Sequence, residues 1–178
     1  MRDVANRIVA HHAQIGEINF YAVELDGDIS LGHMKYERDR SSPYDDEFTV
    51  ANIRFDKTLN RCGRRYVSCK EMMHIFDTAD EAVSSRERFI QLLNEFETLP
   101  MPKDISPMYL SELNAEWKAL LILCPKRLRD KYRGGWEANE VGYSDLDIAL
   151  KLKIPENLIR SIMSPYYETA LQQSIAQN

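Results

Sequence analysis

The stretch Arg65-Tyr66-Val67-Ser68-Cys69-Lys70-Glu71-Met72-Met73-His74 marks the point where the chain changes its hydrophobic period. Upstream of it, β-branched and aromatic residues dominate. From Tyr66 on, apolar residues recur every three or four positions, at Tyr66, Cys69, Met73 and Phe76, which predicts a helix ended by Asp77-Thr78. On that helix Glu71 and His74 stand three apart and so share a face, with Lys70 beside them. The plainest reading turns Tyr66, Cys69 and Met73 inward and leaves Lys70, Glu71 and His74 near the surface.

Working back from this helix, Phe48 to Phe55 alternates as a strand, followed by the polar, basic tract Asp56 to Arg65 with Gly63 as a breaker. Ile18 to Leu25 and Ile29 to Glu37 flank Asp26-Gly27-Asp28, which predicts a hairpin. Arg38 to Glu47, with Ser41-Ser42-Pro43, reads as a loop. Val4, Ile8 and Ile15 lie at helical spacing and predict a first helix ending near Gly16.

Working forward, Thr78 and Glu81 form a capping box for a helix carrying Ala82, Phe89, Leu93 and Phe96. Leu99-Pro100-Met101-Pro102 reads as a stiff linker. Ser106-Pro107 opens a long helix with Leu110, Leu113, Trp117, Leu120, Leu121 and Cys124 on its apolar face, and Pro125 stops it. Lys126 to Tyr143 looks irregular or weakly helical. Ser144 with Asp147 caps a short helix, Ile154-Pro155 turns the chain, and Glu156 to Met163 makes another. After Pro165 the tail frays or forms one more helix. The order is a helix, three strands, then helices: an α+β domain with its helices segregated. A domain over residues 1–143 with a helix-turn-helix-like extension over 144–178 packed on it is expected.

The chain has 178 residues, 44% hydrophobic and 29% charged, with a net charge of −5. That size suits one domain, and a chain so long needs neither disulfides nor metal merely to fold. An acidic balance argues against a general nucleic-acid binder. Three cysteines without framework spacing point to a reducing, cytoplasmic setting. Charges and histidines between Met1 and Ile15 argue against a leader, and the longest apolar run, Ala119 to Cys124, is far short of a membrane span. A soluble protein with no membrane partner is expected.

Lys70-Glu71-Met72-Met73-His74 is the second half of the pattern H-E-x-x-H, in which two histidines hold zinc and the glutamate is general base on the zinc-bound water. Its surroundings resemble the ImmA/IrrE family of zinc-peptidase-like proteins. There, an Arg-Phe-Thr-Leu-Ala-like stretch runs into the motif, as Arg65-Tyr66-Val67-Ser68-Cys69 does here. Glu112-Leu113-Asn114-Ala115-Glu116-Trp117-Lys118-Ala119-Leu120-Leu121-Ile122-Leu123-Cys124-Pro125 resembles the family's downstream Glu-x-Glu-Ala-Asn helix with its closing proline. Ser144 to Ala149 followed by Ile154 to Ile159 resembles its helix-turn-helix-like pair. The resemblance covers roughly residues 1–165 and implies a zincin-like fold.

It also carries the general base onto Glu71 and one metal histidine onto His74, while Lys70 stands where the other histidine belongs. The third ligand, an acid in the family, falls on Asn114, with Glu112 and Glu116 each two residues away. A protonated lysine offers donors only and cannot coordinate, and neutralising it at pH 7 costs about 4–5 kcal/mol. The economical expectation is an ammonium near the vacated metal position, paired with Glu71, Glu112 or Glu116, in a vestigial site of Glu71, Lys70 and His74 without metal.

The leading expectation is therefore a degenerate, non-catalytic metallopeptidase-like protein that needs no cofactor. It would act as a regulatory module that binds a protein or peptide in the former substrate cleft; the resemblance makes a transcriptional regulator a plausible partner. The alternative is an active zinc metallopeptidase with Glu71 as general base and zinc on His74, a relocated acid such as Glu112, and a neutral Lys70. A third reading is a transcription-linked DNA-binding module acting through the C-terminal helices, whose charge balance disfavours nucleic acid.

Other candidates read more simply. Asp77 and Asp80 sit before and within a helix start. Cys62 and Cys69 lack a matching metal pair, and a Cys69–His74 nucleophilic arrangement diverges on one helix. His11 or His12 faces solvent, and His33 lies on a solvated strand face. Two basic clusters, Arg54 to Lys70 and Lys126 to Arg133, would form a charged binding face if they lay together.

Overall fold

The structure, a computed structural model, describes residues 1–176 except 13, 28, 41, 43–45, 84 and 98–104. Its elements are helix α1 (Arg2–His11), strands β1 (Ile15–Val23), β2 (Gly32–Asp39) and β3 (Phe48–Asp56), then helices α2 (Arg61–Met73), α3 (Arg86–Glu97), α4 (Pro107–Leu123), α5 (Lys126–Glu137), α6 (Asp145–Leu152), α7 (Ile159–Met163) and α8 (Tyr166–Ala176). The protein is α+β, with a three-stranded mixed sheet followed by helices.

The expected hairpin between the first two strands does not form. The strand order is β1-β3-β2, with β1 parallel and β2 antiparallel to β3. Val50 to Ile53 are buried in succession, so β3 needs cover on both faces and both edges and takes the centre. The turn at Asp26 does form, with Ile29 N–H donating to its carbonyl at 3.0 Å. The chain then passes over the end of β3 instead of folding back. Asp56 anchors that crossing: its carboxylate accepts from Leu25 N–H at 2.9 Å, and its own N–H donates to Leu31 at 3.0 Å. Ile15, expected at the end of the first helix, opens β1, because α1 already stops at His11.

Ile18 and Phe20 of β1, Ala51 and Ile53 of β3 and Met34 of β2 turn one face of the sheet to a common core. Helix α2 lies on that face. It starts four residues earlier than Arg65, and Gly63 does not break it, because the Asn60 side chain caps it by accepting from Gly63 N–H at 2.8 Å. Gly32 lets β2 approach the helix: a β-carbon there would collide with Val67 Cγ1 and come within 3.2 Å of Glu71 Cγ.

Only half of the capping box at Thr78 and Glu81 forms: Thr78 N–H donates to the Glu81 carboxylate at 2.8 Å, while Glu81 N–H donates to the Thr78 carbonyl instead of its side chain, and the turn is not continued. Helix α3 begins only at Arg86, and the expected linker at Leu99–Pro102 lies outside the described residues. Helix α4 starts at the expected Ser106-Pro107 cap and ends before Pro125. Its buried face is the expected one only in part: Leu120 and Cys124 are buried, but so is the small stripe Ser111, Ala115 and Ala119, while Leu110 is 44% exposed. Small residues at that spacing let the α4 backbone lie close to α2, with Cys69 Sγ 4.0 Å from the Ala119 carbonyl.

Residues 126–137 form a full helix, where the segment read as irregular or weakly helical. The core residue of α5 is Arg129, fully buried, which hydrophobic periodicity cannot see. Its guanidinium donates to the Ile162 and Ser164 carbonyls at 2.8 and 2.9 Å and lies 4.5 Å from the Tyr167 ring centre. Ser144 and Asp147 make the expected capping box on α6. The tail is ordered as α8, held by Tyr167 O–H donating to the Cys124 carbonyl at 2.8 Å. Ile148, Ile154, Ile159 and Tyr167 join the same apolar cluster as Ala51 and Cys69, so the C-terminal helices share the core. Among the described residues, no helix is long and apolar enough to cross a membrane.

Candidate functional site

Helix α2 is held between the sheet and α4, and the rim of that contact carries the candidate residues. Lys70, in the last turn of α2, and His74, which caps its end, are four apart and project to one face; Glu112 of α4 reaches both. Its Oε2 lies 2.5 Å from Lys70 Nζ and its Oε1 lies 3.3 Å from His74 Nε2. Lys70 Nζ is also 3.4 Å from Glu71 Oε1. Glu71 is only 6% exposed, tucked beneath the start of β2, and so is not the surface residue that the plain reading of the helix expected. Lys70, Glu71, His74 and Glu112 are thus brought together as one ion cluster.

The cluster extends through residues whose role the sequence did not betray. Asp77 Oδ2 is 2.8 Å from His74 Nδ1, and Ser111 Oγ is 3.3 Å from the same nitrogen. The spacing E-x-x-H-x-x-D was visible, but a short 3-10 turn at His74–Phe76 is needed to bend Asp77 back onto the ring. Nδ1–H donating to Asp77 leaves Nε2 toward Glu112, where it is buried without a hydrogen bond among the described residues. Asp77 orients the imidazole in the manner of an outer carboxylate behind a ligating histidine.

Burial alone would lower the His74 pKa; the Asp77 and Glu112 contacts outweigh it and raise it to about 9. Glu112 responds in the opposite sense: burial pushes its carboxyl up, but His74 and Lys70 hold it at about 2. For Lys70, burial opposes the charge, and the Glu71 and Glu112 carboxylates overcome it, so the ammonium is held more firmly than in water. A neutral, coordinating Lys70 runs against this environment.

The direct alignment of the third ligand with Asn114 does not match the geometry. Two residues along a helix turn by about 200°, so Glu112 and Asn114 cannot both face α2. Glu112 does, while no hydrogen bond or ion pair among the described residues joins Asn114 to the cluster. Glu116 stands beside Tyr66, where burial and then its charge push the phenol far above its ordinary range.

A catalytic zinc needs three protein ligands and an open position. Here the usable donors are His74 Nε2 and the Glu112 carboxylate, and an ammonium already occupies the far oxygen of that carboxylate. Among the described residues, no group of three or more His, Cys, Asp and Glu is arranged to hold a metal. The donor set does not fit a catalytic zinc.

The remaining candidates lie elsewhere. Cys69 is fully buried, and burial pushes its thiol up to about 12, which rules it out as a nucleophile with His74. His33 sits opposite Arg54 in the sheet; burial and then Arg54 lower its pKa. His12 caps the end of α1 and meets Phe76 edge-on at 5.8 Å. The basic clusters are largely committed to structure. Arg65 donates to the Leu152 and Lys153 carbonyls, Arg64 to those of Lys57 and Leu59, and Lys126 and Arg129 pair with Glu168. No family model, no curated protein and no solved structure matches this chain.

Proposed function

We propose that this chain is a degenerate peptidase of the ImmA/IrrE kind: a zincin-like domain that retains the architecture of a metal site and fills it with an ion cluster. It is a non-catalytic regulatory module that binds a protein or peptide. The observation that carries this reading is the Lys70 ammonium, 2.5 Å from Glu112 and 3.4 Å from Glu71, at the position where the motif requires a histidine ligand. A fixed positive charge there offsets the carboxylates that a dication would otherwise neutralise. Without a metal, Glu71 has no activated water to serve as general base. The reaction is lost while the packing of α2 against α4 survives.

Metal content separates this reading from a working peptidase. Purified protein loaded with zinc and then desalted is expected to hold none. Lys70→His is expected to gain one zinc per chain with Glu112 as the acid ligand, and Glu112→Gln in that background to lose it. Stoichiometric zinc in the natural sequence, abolished by His74→Ala, would overturn the proposal.

A further inference from the structure

Strand β1 lies at an edge of the sheet and pairs with β3 on one side only. The Val23 carbonyl accepts from Lys57 N–H at 2.7 Å, which continues the ladder past Asp56 and fixes its phase. In a strand, the N–H and C=O of one residue point to the same side, and the side alternates along the chain. Asn19, Tyr21 and Val23 therefore bond to β3, while Ile18, Phe20 and Ala22 turn their backbone groups to the open edge. Among the described residues, nothing beyond β3 pairs with this strand. We infer that β1 pairs antiparallel with β1 of a second copy of this chain, about a two-fold axis at Phe20, joining the two sheets into one. The inference rests on the sheet alone and not on the state of the metal position.

The two edges of the sheet are guarded differently. A free edge is ordinarily kept from association by charges, lysine above all, or by proline and bulges. The β2 edge has Lys35, Glu37, Arg38 and Asp39. From Ile18 to Val23, β1 has no charged residue and no proline, and its register runs unbroken from Glu17. Every residue from Gly16 to Val23 is at least partly exposed, with Tyr21 at 46%, whereas Val50 to Ile53 of the central strand are buried.

Only another strand offers donors and acceptors at the spacing of these groups, and self-complementarity selects a copy of β1 as that strand. With the axis at Phe20, Phe20 lies opposite the partner's Phe20, and Ile18 opposite the partner's Ala22. Each of these is a hydrogen-bonded pair, so every open N–H and C=O of the three residues meets its complement. The side chains agree. The larger Ile18 faces the smaller alanine, the half-buried Phe20 rings meet at the axis, and Asn19 lies beside the partner's Tyr21 on the other face. Glu17, the nearest charge, falls opposite the partner's Val23 and so does not meet its own copy.

The test follows the full chain from about 10 μM to about 1 mM, where interfaces below the standard size associate, by sedimentation equilibrium and amide hydrogen exchange. The molar mass is expected to rise from monomer to dimer. Over the same range, exchange at Ile18, Phe20 and Ala22 is expected to slow by about five-fold or more, while Asn19 and Tyr21 are protected at every concentration. Ala22→Pro removes an N–H that bonds to nothing within the chain, at an edge position where proline is tolerated, and is expected to stay monomeric. Ala22→Ser keeps that N–H and is expected to dimerise. Concentration-dependent protection at Asn19 and Tyr21 instead, or a folded Ala22→Pro that dimerises like the natural chain, would overturn the inference. A natural chain still monomeric at about 1 mM would overturn it too and leave the edge to a strand of another protein. Should Ala22→Pro fail to fold, the exchange pattern of the natural chain decides by itself.

Discussion

Replacing Glu112 with glutamine keeps the shape of the side chain and removes the charge that lies between Lys70 and His74. The His74 pKa stands at about 9 against an ordinary 6.5, which corresponds to about 3 kcal/mol favouring its protonated form in the folded state. Asp77 and Glu112 are the main sources, so the Glu112 share is about half, or about one pKa unit. The downward shift of Glu112 itself reports the same contacts and is not added. Glu112→Gln is therefore expected to lower the His74 pKa by about one unit, and Asp77→Asn to lower it as well.

The pH dependence follows from the signs. A histidine whose pKa is raised on folding stabilises fully below 6.5, and that contribution fades as pH rises through about 9. A carboxylate whose pKa is depressed stabilises fully above 4.5, and that contribution fades as pH falls through about 2. The substitution thus costs most between 4.5 and 6.5, about 2–4 kcal/mol including the bond to Lys70, and about 1.5 kcal/mol less near pH 10. NMR titration of the His74 ring and urea unfolding at the two pH values measure both. A His74 pKa unchanged by the substitution, or a stability loss that stays flat with pH, would refute the cluster as described.

Two further substitutions probe how the site is held. Arg129→Met strands the Ile162 and Ser164 carbonyls and leaves Glu168 to Lys126 alone, and is expected to cost about 2–4 kcal/mol in urea unfolding. Hydrogen exchange should report the loss first in α8; a cost under about 1 kcal/mol would mean that α5 and α8 are joined by apolar packing alone. Gly32→Ala brings a β-carbon within 3.0 Å of the Arg54 carbonyl, an atom of the sheet backbone that cannot swing aside. About 2–3 kcal/mol of destabilisation is expected, or a fall of about 4–10 °C in Tm, and an unchanged Tm would place β2 farther from α2.

Local chemistry made several elements legible before any packing was known. The Ser106-Pro107 start of α4 and the Ser144–Asp147 capping box depend on neighbours within one helical turn, and both appear as read; the helix through Tyr66 also forms, although it begins earlier, at Arg61. Missed elements had their causes at long range. The hairpin signal at Asp26-Gly27 describes a turn and says nothing of which strand lies next to which. The small buried stripe Ser111, Ala115 and Ala119 was passed over for larger apolar residues because distance of approach, rather than hydrophobicity, orients α4. A buried arginine hid α5 from any count of apolar positions.

The candidate site divides along the same line. Lys70, Glu71 and His74 share one helix, so their adjacency was a matter of 3.6 residues per turn, and the loss of a histidine ligand was plain from the residue types. The acid that completes the group was among the candidates, Glu112 and Glu116, but was not singled out. Glu112 and Asn114 differ by two positions, and alignment favoured Asn114; the rotation of α4 against α2 brought Glu112 to the ammonium instead. Asp77 joins His74 only because the chain tightens into a 3-10 turn after Met73. Within a helix, geometry is set by the backbone's own hydrogen bonds and travels with the sequence. Between elements, it is set by which surfaces close most tightly, and no single segment contains that information.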